Sequence, residues 1–123
     1  MEYVSTDKAP GAIGPYSQAV KANGMLFTSG QIAINPETNQ VEAKTIAEQT
    51  EQVCKNLKAV VEAAGTTMDK VVKTVCFLAD INDFAEFNEI YGRYFVSKPA
   101  RSCVAVKDLP KGVLCEVELI AEL

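Results

Sequence analysis

A guanidinium and a thiol stand two positions apart in the apolar run "RSCVAV", Arg101 to Val106. In an extended strand alternate residues share a face, so Arg101, Cys103 and Ala105 lie together and Ser102, Val104 and Val106 lie opposite. A permanent cation half-buried beside valines requires an answering carboxylate or ligand. Two roles fit Arg101. One is structural, an internal ion pair or a surface arginine whose stem packs on apolar neighbours. The other is a carboxylate clamp, because the planar guanidinium presents two parallel donors matched to two carboxylate oxygens. Cys103, roughly 6.6 Å along the same face, is either a small core residue or a thiol activated by a cation.

The last apolar run, "VLCEVELIAEL", alternates Val113, Cys115, Val117, Leu119 and Ala121 with Leu114, Glu116, Glu118, Ile120 and Glu122. Carboxylates at every second position describe a solvated face. Interleaved with Leu114 and Ile120, Glu116 or Glu118 is also placed to be half-buried and paired with Arg101. A direct hairpin of the last two strands would set Glu116 near Cys103, and a crossover would part them. Asn88 lies four residues after Phe84 and three before Tyr91, inside a helical apolar stripe, as a satisfied core polar or a pocket lining. Tyr16 follows Gly14-Pro15, either packed or with its phenol in a cleft. "TSG", Thr28 to Gly30, ends a strand on a glycine that lets backbone N–H approach a ligand closely.

The chain has no histidine. That removes the Ser-His-Asp triad, a Cys-His dyad, most zinc sites and any imidazole base. Proton transfer is left to carboxylates, Lys, Tyr and thiols. A net charge of −4 with no clustered Lys/Arg argues against nucleic-acid binding. The N-terminal segment shows no secretory pattern, and no apolar run approaches the ~20 residues that span a bilayer. The four cysteines, scattered without a CxxC pair, read as reduced thiols, so a cytoplasmic location is expected.

These residues need elements to hold them. One domain over residues 1–123 is expected from length alone. After a short strand at "EYVST" and a Pro/Gly loop, Asn23-Gly24 between two apolar runs predicts a hairpin. "NPETNQ" is a turn in which Asn39 tolerates a left-handed backbone. Thr45 with Glu48 forms a capping-box pattern that opens a helix ended by Gly65. "KVVKTVCFLAD" is apolar on both faces, a strand covered on two sides. A second helix starts near Asn82 or Asp83 and buries Phe84, Phe87, Tyr91, Tyr94 and Phe95. Two strands, 101–106 and 113–122, finish an α+β order, and the two helices can cover only one sheet face. The uncovered apolar face predicts a homo-oligomer.

Taken together, "GAIGPYSQAV", "FTSGQI", "NPET", "LKAVVEAAG", "KTVCFLADINDFAEFNEIYGRYF", "KPARSCVAVKDLPKG" and "EVELIA" resemble, in order and spacing, the RidA (YjgF) family of reactive-imine deaminases. The resemblance implies a chorismate-mutase-like mixed sheet of about six strands backed by two helices. It implies a homotrimer with three clefts between subunits. The implied activity is hydrolysis of 2-imino acids such as 2-iminobutanoate and 2-iminopropanoate, or their enamine tautomers, to 2-oxo acids and ammonia, with no cofactor or metal. By position, Arg101 matches the carboxylate-binding arginine and Glu116 the acid that positions water. Tyr16, Ser29, Gly30, Asn88 and Cys103 match pocket positions, Cys103 mainly through its backbone. Cys115, Ala33 and Asn39 depart from the usual residues, and none touches Arg101 or Glu116. A non-catalytic role is the alternative, as a trimer that senses a 2-oxo acid or docks on a partner, since family members have been linked to translational inhibition and chaperone-like behaviour.

Overall fold

The computed structural model describes residues 1–123. β1 (Glu2–Val4) pairs antiparallel with β2 (Ala19–Ala22), which turns through Asn23 and Gly24 into β3 (Met25–Thr28). Both turn residues take positive φ, 52° and 74°, the mirror-image geometry that matches strand twist and that Asn-Gly favours. Asn39 is likewise left-handed, at φ 61°. α1 (Ile46–Ala63) opens on the full capping box: Thr45 accepts from the Glu48 N–H while the Glu48 carboxylate accepts from the Thr45 N–H. Gly65 follows at φ 89°, the left-handed stop expected of it.

β4 (Val71–Leu78), α2 (Phe84–Tyr94) and β5 (Ala100–Ala105) form a βαβ unit, with β4 and β5 parallel. β6 (Cys115–Glu122) then runs antiparallel to both β3 and β4. The result is one six-stranded mixed sheet in the order β1-β2-β3-β6-β4-β5, as the resemblance implied. The last two strands are not a hairpin, because β4 lies between them.

On one face Leu26, Thr74, Cys76, Leu78, Cys115, Val117, Leu119 and Ala121 are buried with Val53, Leu57 and Val60 of α1 and Phe87 and Tyr91 of α2. The other face carries Val75, Phe77, Ile120, Glu116 and Glu118, all only partly buried, with Phe27 exposed beside them. No helix lies on it. One residue of the predicted α2 stripe departs: Phe84 is 38% exposed, because the face it occupies meets the edge strand β5 rather than the core. No helix is long and apolar enough to cross a membrane.

Candidate functional site

Strand parity decides where the chemistry sits. Arg101 is in register with Thr74, and Thr74 with Leu119, so Arg101 projects on the helix-covered face. Glu116 is in register with Phe77, and Phe77 with Val104, so Glu116 projects on the open face. The expected pairing of Glu116 with Arg101 is therefore corrected: within one chain they occupy opposite sides of the sheet. Cys103 likewise neighbours Cys76, not Glu116.

The first cluster is built by α2 against β5. Phe84, Asn88 and Tyr91 recur at helical spacing and meet Arg101. The Arg101 Nη1 donates to Asn88 Oδ1 at 2.7 Å. Its guanidinium carbon lies 5.4 Å from the Phe84 ring centroid and 4.8 Å from that of Tyr91. The only ion pairs in the chain are Lys21–Glu2 and Arg93–Glu89, so no carboxylate neutralises Arg101. It borders a cavity of about 500 Å³ with Asn88, Tyr91, Val96 and Pro99. Of the two roles open to Arg101, the internal ion pair is absent. Burial pushes the Cys103 thiol up despite the opposing pull of Arg101, the direction that works against an activated nucleophile.

The second cluster surrounds Glu116. A cavity of about 510 Å³ is lined by Tyr16, Ser29, Gly30, Ile32, Lys111 and Glu116. A short bridge holds the loop after β3 to β6: the Gln31 N–H donates to the Val117 carbonyl at 2.8 Å, and the Gln31 carbonyl accepts the return bond from the Val117 N–H at 3.2 Å. This sets Gly30 directly against the Glu116 carboxyl. A Cβ at Gly30 would lie 2.9 Å from Glu116 Cδ and closer still to Oε2, so any larger residue would push the carboxyl out of this position. Ser29 donates its hydroxyl to the Ser17 carbonyl at 2.6 Å and its N–H to the Gln18 carbonyl at 2.9 Å. Tyr16 stands 53% exposed at the rim. Glu116 is half-buried, and that burial, reinforced by Glu118 two residues along, holds its carboxyl above the usual range. A proton acceptor tuned upward from the carboxylate range suits general base work near neutral pH.

The predicted residues thus divide cleanly, Asn88 and Cys103 with Arg101, Tyr16, Ser29 and Gly30 with Glu116. Sequence reasoning missed four contributors. Phe84 and Tyr91 stack on Arg101; their spacing with Asn88 was visible, but the strand they face was not. Gln18, nearly fully buried, receives the Thr6 N–H at 2.7 Å and donates to the Pro10 carbonyl at 2.7 Å, fastening the loop that walls the Glu116 cavity. A glutamine just before an apolar strand was its only signal. Lys111 takes a left-handed φ of 57° on the rim of the same cavity.

The model of the family described as Endoribonuclease L-PSP matches residues 6–123. The chain is 48% identical over 123 residues to Reactive Intermediate Deaminase A, chloroplastic, of Arabidopsis thaliana, covering 99% of this chain and 66% of that one. Its fold superposes on RidA from an Antarctic Psychrobacter with a TM-score of 0.95 at 42% identity, covering 100% of both chains. It superposes on E. coli TdcF with bound serine with a TM-score of 0.94 at 42% identity, covering 100% of this chain and 99% of that one.

Proposed function

The chain belongs to the RidA (YjgF) family, described in its family model as Endoribonuclease L-PSP, and we propose that it is a 2-imino acid deaminase whose site is completed between subunits of a homotrimer. The observation that carries this reading is Arg101, a stacked guanidinium with one amide partner and no carboxylate. Serine in the TdcF relative is a carboxylate-bearing ligand of the size such a clamp takes.

In the proposed site Arg101 of one protomer grips the substrate carboxylate, and Glu116 of its neighbour faces the C=N carbon. Holding the electrophilic carbon beside a placed water converts an encounter into a unimolecular step. Glu116 accepts a proton as the water oxygen bonds to carbon. The C=N π pair passes to the protonated imine nitrogen, giving a carbinolamine. Glu116 returns its proton to that nitrogen and then takes the carbinolamine hydroxyl proton as the C–N bond breaks, releasing ammonia and leaving the 2-oxo acid. Gly30 N–H and Tyr16 orient the reacting end, with Ser29 and the Cys103 backbone along the walls. The substrates are 2-iminobutanoate and 2-iminopropanoate. Net charge −4 and the lack of histidine argue against RNA cleavage. The four free cysteines support a reducing, cytosolic setting.

The test forms the imine in place with a threonine dehydratase and follows 2-oxobutanoate against semicarbazide trapping. Arg101→Ala should abolish the acceleration with the assembly intact, and full activity in that variant would remove the clamp. Tight 2-oxobutanoate binding without turnover by the unaltered chain would transfer the site to a sensing role.

A further inference from the structure

We propose that Thr74 and Tyr91 are positioning residues for Arg101, a buried hydroxyl pair that fixes an aromatic ring against the guanidinium and so sets the direction of its free donors. The inference rests on the carboxylate-clamp reading above. Thr74 and Arg101 are register partners on adjacent parallel strands, so their side chains emerge together toward α2. The Thr74 hydroxyl meets the Tyr91 hydroxyl at 2.7 Å, and both residues are buried. A valine would fill the Thr74 position as well by shape; the close partner of the hydroxyl is Tyr91, with the Cys76 thiol donating to it from 3.9 Å. A buried hydroxyl without its partner is costly, so each holds the other in place.

The Tyr91 ring is fixed from its other side as well. It stacks on Phe95 at 4.3 Å with planes 20° apart and contacts Phe87 at 5.6 Å. Phe87 and Phe95 belong to the core, so the ring that Arg101 rests on is anchored there. The guanidinium then lies near two rings, with one amino group bonded to Asn88. Cation–π contact favours the ring face without consuming N–H donors, which leaves the remaining donors for a ligand. An unsupported arginine would have to surrender several rotamers on binding, and this one has already done so.

The experiment titrates the full-length protein with 2-oxobutanoate and, in parallel, with the uncharged 2-oxobutanamide, by calorimetry. Tyr91→Leu should weaken the acid about tenfold and leave the amide unchanged. Tyr91→Phe and Thr74→Val, which keep ring and packing but break the hydroxyl pair, should weaken the acid about threefold. Thr74→Ser should restore it. Equal weakening of acid and amide would mean general disruption of the pocket and overturn the inference, as would unchanged acid affinity in Thr74→Val and Tyr91→Phe. Arg101→Ala separates the two layers: loss of acid binding there with none in the hydroxyl variants removes this inference alone. Unchanged acid binding in Arg101→Ala, or none by the unaltered protein, removes the clamp itself and this inference with it.

Discussion

At the scale of single residues the account turns on two charges with opposite fates. Arg101 keeps its charge whatever surrounds it, so its surroundings decide only its direction. Glu116 can lose its charge, and half-burial with Glu118 nearby biases it that way. Glu116→Gln should lower imine turnover by about 100-fold or more while retaining 2-oxobutanoate binding. Turnover in the unaltered protein should fall on acidification through a point above the ordinary carboxylate range, since the base must be ionised. Removing the Glu118 charge as Gln should move that limb to lower pH, with Lys111 on the cavity rim left in place. Stability runs the opposite way with pH. A carboxyl held up in the fold is protonated more readily there than in the unfolded chain, so its contribution is full below about pH 4.3 and is lost as pH rises through the raised value. Glu116→Gln should therefore raise Tm at pH 7 and leave it nearly unchanged near pH 3, as calorimetry would show. The identities of these two residues were legible from charge set into apolar strands. Their relation was not, because parity places them only after the pairing partners are known.

At the scale of elements, signals confined to a few adjacent residues proved readable. The Asn23-Gly24 turn, the Thr45–Glu48 capping box and the Gly65 stop depend on local backbone geometry, and each stands where its residues demand. The order of strands depends on distant contacts. Nothing in "KDLPKG" says that β4 will lie between the strands it joins, so the sequence leaves the hairpin alternative open and the strand order closes it. Phe84 shows the same limit: helical spacing put it on the apolar stripe, but the stripe is wider than the core and its margin rests on Arg101. Gly30 is where an element most directly shapes the chemistry, since the Gln31–Val117 bridge presses its backbone onto the Glu116 carboxyl. Gly30→Ala should displace that carboxyl and reduce turnover at least tenfold with Tm little changed, because the flexible side chain can swing away. Unaltered kinetics in Gly30→Ala would show that the position of Glu116 is not set there.

For the whole molecule, the sheet divides the functional residues as it divides the fold. One face is sealed by α1 and α2 and carries Arg101 at its edge, while the open face carries Glu116 among Val75, Phe77 and Ile120. Apolar side chains left half-covered on a sheet invite another copy of the chain. On the proposed reading the site is completed between chains, and within one chain two cavities of nearly equal size lie on separate surfaces. That claim is tested by mixing two inactive proteins, Arg101→Ala and Glu116→Gln, under conditions where subunits exchange, with native mass spectrometry confirming hybrids. If each site takes its arginine from one protomer and its glutamate from the next, an equal mixture should recover about a quarter of the unaltered imine turnover. Confirmed hybrids that remain as inactive as either parent would contradict it.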